Sequence, residues 1–111
     1  MKLKLLPSLK ERKRYLVYEI ISEKSLTKEI VCKTLKAQIF KFIGELGVAR
    51  AGIKVLPDTY NNQKGVIRVG HKYVDEIKSA LIMTTNINKN KVIIKNIGVS
   101  GTIKKAKLIA S

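Results

Sequence analysis

One stretch of the chain changes its hydrophobic period within a few residues, and that change constrains the fold more than any other feature. Between Lys64 and Met83, the residues Val66, Ile67 and Val69 surround Arg68 and are bounded by Gly65 and Gly70. This is the composition of a short strand. From Tyr73 onward the apolar residues fall at Tyr73, Val74, Ile77, Ala80 and Leu81, the spacing of one helix face. Asp75 and Glu76 stand in the first turn, where acids favour the positive end of a helix. A strand ending near Gly70 and a helix starting within about three residues make an ordinary short βα step. Such a step needs a sheet to return to.

The other strands lie on either side. Arg14–Ser22 is aromatic and β-branched. Leu16, Tyr18 and Ile20 point to one side of it; Tyr15, Val17, Glu19 and Ile21 point to the other. Apolar groups on both faces predict a central strand. Ser25 or Thr27 is suited to cap a helix from Lys28 to about Gly44. Its stripe is Val31, Cys32, Leu35, Ile39, Phe42 and Ile43, with Leu46 as an extension. Gly44 and Gly47 are expected to end it. Val48–Leu56 then alternates Ala49, Ala51, Ile53 and Val55 against Arg50, Gly52 and Lys54, which predicts a strand with one polar face. Pro57–Gly65 is rich in turn formers and reads as a loop, so that Val48–Val69 forms a hairpin. After the second helix come a turn at Asn86–Asn90, a strand at Lys91–Ile97, a break at Gly98–Thr102 and an amphipathic helix at Ile103–Ala110.

The order β-α-β-β-α-β plus a last helix predicts an α+β, ferredoxin-like (RRM-like) sandwich. It has a four-stranded antiparallel sheet, both crossover helices on one face and the other face open unless terminal segments or a partner cover it. The 111 residues make one domain, with a basic leader over 1–13, broken by Pro7, and a break and helix over 98–111.

Twenty-three basic against 8 acidic residues leave a net charge of +15. Self-repulsion of that size opposes compaction, so folding does not account for it, and a polyanionic partner does. A lysine-rich solvated surface is the bland alternative, but lysine enrichment usually brings glutamate with it. Here no acid follows Glu76. The candidate RNA-binding residues are the cluster Arg12, Lys13 and Arg14; Arg50, Lys54 and Arg68 on the hairpin; His71 and Lys72 in the βα loop; and Lys104, Lys105 and Lys107 in the last helix. Ser100 or Thr102 is placed to cap that helix, whose start with nearby lysines suits an anion. No apolar run is long enough to span a membrane. The apolar part of Met1–Pro7 is too short for a signal peptide, and the single cysteine suits a reducing cytoplasm.

Autonomous catalysis finds no support. His71 is the lone histidine and has no motif around it. No Cys/His cluster, converging carboxylates or phosphate-cradling glycine loop is present. Ser22-Glu23-Lys24-Ser25 lacks the arginine and asparagine that an acylphosphatase-type loop needs. Cys32 on the core stripe reads as a packed thiol. RNA recognition motifs stack bases on aromatics of their central strands, but here the third strand is aliphatic, leaving only Tyr15 or Tyr18 to stack. Ile30, Ala37 and Phe40 lie off the core stripe; Ile30 and Phe40 are the candidates for a protein interface.

Three pieces in order carry a resemblance over nearly the whole chain. They are the basic tract leading into Arg-Tyr-Leu-Val-Tyr-Glu-Ile (14–20), Gly-Val-Ile-Arg-Val (65–69) leading to Tyr73–Leu81, and Gly-Val-Ser-Gly-Thr-Ile-Lys-Lys (98–105). Together they resemble archaeal ribonuclease P protein component 2, the counterpart of a eukaryotic ribonuclease P and MRP subunit. The resemblance implies a ferredoxin-like sandwich and a noncatalytic role in the ribonucleoprotein endonuclease that removes the 5′ leader of precursor tRNA. It implies that the RNA holds the active site with its magnesium and that this chain binds no cofactor. It implies ribonuclease P RNA, precursor tRNA, protein component 3 and other ribonuclease P proteins as partners, with component 3 in a heterodimer or heterotetramer. A general structural RNA binder, such as a ribosomal protein, is the competing expectation.

Overall fold

The structure is a computed structural model that describes residues 12–110. The Pro7 break of the leader lies outside the described residues. The elements are β1 (Lys13–Ser22), α1 (Lys28–Ala51), β2 (Lys54–Asn61), β3 (Lys64–Gly70), a 3-10 turn (His71–Tyr73), α2 (Val74–Ile82), β4 (Asn86–Ile87), β5 (Asn90–Ser100) and α3 (Ile103–Ala110). The strands form one antiparallel sheet in the order β2-β3-β1-β5-β4. The fold is thus α+β, but with five strands rather than the four expected.

The central position of β1 follows from its two apolar faces. Leu16, Tyr18 and Ile20 join Val31, Cys32, Leu35 and Ile39 of α1 and Ile77, Ala80 and Leu81 of α2 in the main core. Val17 faces the other way, into a smaller cluster with Val66 and Ala106, flanked by Tyr15, Leu56, Ile97 and Ile103. The second cluster places α3 across the face opposite α1 and α2, so the chain's own last helix partly covers the face expected to be open. Each fully buried aliphatic side chain contributes about 1.5–3 kcal/mol.

Thr27 occupies the N-cap position of α1, but its side chain makes no capping hydrogen bond. Gly44 does not end α1; it bends it. Its φ of 75° and ψ of 173° belong to backbone that only glycine holds without strain. Helical turns resume and run to Gly52, which closes the helix in the left-handed region at φ 59°. The bend changes which side chains face inward. Beyond it Leu46, expected to extend the core stripe, is 71% exposed, while Ala51 is fully buried; before it Phe42, also expected on the stripe, is 41% exposed. The expected strand from Val48 therefore starts only at Lys54, and Arg50 sits in the last turn of a helix.

The expected loop Pro57–Gly65 is largely strand. Asn62 and Gln63, at φ 53° and 60°, make a two-residue hairpin turn whose left-handed backbone matches the sheet twist. The register jumps from Leu56↔Val66 to Asn61↔Lys64, so the intervening residues bulge out of the ladder. Thr59 bridges the gap: its hydroxyl donates to Leu56 O at 2.6 Å and accepts from Val66 N at 3.0 Å. Gly65 is required where β3 meets β1, because a Cβ there would stand 2.7 Å from Cζ of the buried Tyr18. Asn88 and Lys89 repeat the left-handed turn between β4 and β5. β5 continues through Gly98, past a register shift opposite Val17/Tyr18, to Ser100, which leaves a much shorter break before α3 than expected.

Candidate nucleic-acid interface

Antiparallel pairing brings together residues far apart in the chain. The start of β1 lies against the end of β3 (Lys13↔Gly70, Arg14↔Val69). Tyr15 is opposite Arg68 on one side and Ser100 on the other, and Arg68 is opposite Lys54. One end of the sheet therefore gathers the first residues of β1 and β2, the last of β3 and β5, and the start of α3.

The hydrogen bonds tie this end together. The Arg12 carbonyl accepts from the His71 amide at 2.7 Å. It also lies 3.2 Å from His71 Nδ1, within hydrogen-bond reach of the tautomer protonated there. Lys13 reaches across to Gly52, whose Cβ position its ammonium would block. That is the C-terminus of α1, where the helix dipole favours a cation. Arg14 Nη1 donates to Lys13 O at 3.2 Å and lies beside Gly101. Arg68 is half-buried and its Nε has no partner. At α3, Thr102 Oγ1 accepts from the Lys105 amide at 3.3 Å, the expected cap, and Ser100 Oγ accepts from the Thr102 amide at 3.2 Å.

Arg12, Arg50, Lys54, His71, Lys72, Lys104, Lys105 and Lys107 are exposed, and Lys13, Arg14 and Arg68 are half-buried. No ion pair joins any of these cations to a carboxylate among the described residues. Unpaired cations held on a fixed scaffold repel one another until anions neutralise them. Lys107 stands a turn farther along α3, and Arg50 reaches this end from the helix rather than from a strand face.

Base stacking on the sheet is closed off: Tyr18 is fully buried and Tyr15 packs into the cluster under α3. Burial pushes the Tyr18 phenol well above its ordinary range, and its hydroxyl has no partner. Burial likewise raises the Cys32 thiol, which suppresses the nucleophilic thiolate. Among the described residues no group of three His, Cys, Asp or Glu is placed to hold a metal. No helix among them is long and apolar enough to cross a membrane.

The two interface candidates part company. Ile30 is half-buried and packs on the main core, whereas Phe40 is 52% exposed. Phe40 lines a groove of about 510 Å³ between α1 and β2. The sequence reading missed two residues. Lys36, four before Phe40, borders the same groove; the i, i+4 spacing was the available signal. Gln63 has the pattern of a turn former, yet its side chain accepts from Leu26 N at 2.9 Å and donates to Ile20 O at 2.8 Å. No local pattern announces that role.

Comparison with known proteins places the chain in a family. The model of the Rpp14/Pop5 family matches residues 14–111. Ribonuclease P protein component 2 of Pyrococcus abyssi is 40% identical over 111 residues, covering 96% of this chain and 92% of that protein. The protein of the same name from Thermococcus kodakarensis is 38% identical over 101 residues (91% and 84%). That from Methanosarcina mazei is 34% identical over 103 residues (93% and 87%). A chain in the cryo-EM structure of yeast ribonuclease MRP shares the fold at a TM-score of 0.62, with 13% identity over 88% of this chain and 85% of that one. A family match from Arg14 to the last residue, together with relatives paired over most of their own length, makes this chain a member of the Rpp14/Pop5 family.

Proposed function

We propose that the chain is a noncatalytic protein subunit of ribonuclease P, which binds and stabilises the catalytic RNA that removes the 5′ leader of precursor tRNA. The observation that carries the reading is the convergence on one end of the sheet of cations from β1, β2, β3 and α3 that form no ion pair among the described residues. Phosphates are the ligands such an end takes, by charge and by the Ile103 and Lys104 amides that the Thr102 cap leaves over at the start of α3. Relatives named ribonuclease P protein component 2 support the same assembly.

Magnesium in this reading belongs to the RNA, as the resemblance to ribonuclease P protein component 2 implies. Neutralising phosphates near the RNA's metal sites lowers the magnesium that the folded RNA needs. Phe40, exposed on α1, faces a protein partner of the component 3 type in a heterodimer or heterotetramer, while Ile30 serves the core. The working compartment is the cytoplasm.

The test is cleavage of precursor tRNA reconstituted from the RNA, the partner proteins and this chain, each omitted in turn. Leaving out this chain is expected to raise the magnesium requirement and lower the rate. RNA affinity is expected to fall steeply between low and moderate salt, as counterion release demands. Unchanged cleavage without the chain, or salt-independent affinity for the RNA, refutes the proposal.

A further inference from the structure

The groove between α1 and β2 adjoins the basic end and shares Lys54 with it, but its floor is apolar. Its surface is formed by Phe40, Val48, Ile53 and Val55, with Lys36 and Lys54 among its lining and no acid. Val48 and Ile53 are themselves packed against the main core, so the groove carries core surface out to solvent. A ring 52% exposed on such a floor is apolar area awaiting cover.

The chemistry selects the occupant. RNA offers phosphates to the lysines, but its bases need stacking rings and hydrogen-bonding edges. The groove supplies one ring, aliphatic side chains and a proline. An amphipathic helix with acids beside its apolar stripe satisfies both parts of the lining. The position fits too. α1 and α2 form the layer on this face of the sheet, and β2 is the sheet's edge strand. A helix in the groove would pack beside α1 at the usual 8–10 Å as the next member of that layer.

We propose that this groove receives an amphipathic helix of a protein partner. Its apolar face sits on Phe40, Val48, Ile53 and Val55, and its flanking Asp or Glu residues pair with Lys36 and Lys54. This rests on the reading of Phe40 as a protein contact and specifies what the partner presents there.

The test uses the full chain, isotope-labelled for NMR, at moderate salt. Four probes are titrated: an 18-residue helical peptide with a leucine stripe flanked by glutamate, the same stripe flanked by lysine, the glutamate peptide with its leucines changed to serine, and a single-stranded 12-nucleotide oligouridylate. The Leu/Glu peptide is expected to shift Phe40, Val48 and Ile53 and to leave Lys104 and Lys105 unmoved. Affinity is expected to fall at least tenfold for the Lys-flanked and the serine peptides. Lys36→Glu and Phe40→Ala, both at exposed positions and checked by their thermal unfolding, are expected to weaken the Leu/Glu peptide to a similar degree. Strongest shifts at Phe40 and Val48 with oligouridylate would make the groove an RNA site and overturn the proposal. So would a Leu/Glu peptide that leaves the groove unshifted, or a free chain that self-associates through Phe40. Binding of ribonuclease P RNA to the same samples separates the two readings. Its loss strikes the subunit role, whereas peptide failure with intact RNA binding strikes only the groove.

Discussion

The two ends of the sheet use polar side chains in opposite ways. At the end where β1 finishes, Gln63 binds Leu26 N and Ile20 O, its own carbonyl accepts from Ile20 N at 2.7 Å, and the Tyr60 hydroxyl donates to Leu26 O at 2.9 Å. These bonds fix the segment between β1 and α1 on the β2–β3 hairpin. At the end where β1 begins, Lys54, Lys72, Lys104 and Lys105 extend into solvent without an ionic partner among the described residues. Polar groups that are satisfied inside the protein serve the fold. Charged groups that the fold leaves unsatisfied are available for a ligand, and removing them should cost the fold little.

The largest expected effect tests the first half of that contrast. Gln63→Ala orphans the Leu26 amide and the Ile20 carbonyl, at about 1–3 kcal/mol for each unsatisfied group. A loss of about 2–4 kcal/mol in chemical denaturation is expected, with RNA affinity unchanged in the folded fraction. A variant as stable as wild type would show that this end is not held by Gln63. Gly65→Ala comes next. The new Cβ meets the Tyr18 ring, and overpacking of this kind costs about 1–3 kcal/mol. Combining it with Tyr18→Leu should recover part of the loss; no recovery would place the strain elsewhere.

Tyr18→Phe is expected to change stability at neutral pH by no more than about 1 kcal/mol, since the hydroxyl it removes is buried without a partner. Alkaline pH separates the two proteins. The unfolded phenol ionises near its ordinary value of 10.0, while burial holds the folded one protonated to higher pH. The unfolded state therefore binds fewer protons above pH 10, and stability falls as pH rises from there. A pH titration of Tm should show a shallower alkaline decline in Tyr18→Phe; parallel curves would reject the assignment. The smallest effect on folding is expected at the basic end. Lys104→Ala with Lys105→Ala should move stability by no more than about 0.5 kcal/mol. The same pair should weaken ribonuclease P RNA binding, reduce its salt dependence and raise the magnesium needed for cleavage. Wild-type behaviour in both assays, with the complex intact, would place the RNA surface elsewhere.

Local pattern by itself determined the central strand β1, the strand-to-helix step at Gly70, the face of α2, the position and cap of α3, and the charge that calls for a polyanion. Each rests on periodicity, capping chemistry or a count of charges, which neighbours in the chain establish without help from the rest of the fold. Tertiary structure decided the continuation of α1 past Gly44, because Ala49, Ala51 and Ile53 alternate like a strand, yet the backbone stays helical to Ala51, which is buried against the core. It decided the extent of β2 as well, since Pro57, Asp58 and Asn61 are poor strand formers and pairing resumes only at Asn61↔Lys64, beside the Asn62–Gln63 turn. It also decided that residues as distant as Arg12, Lys54, Arg68 and Lys104 share one end of the molecule. Antiparallel register sets that proximity, and register is a property of paired strands that no single segment contains.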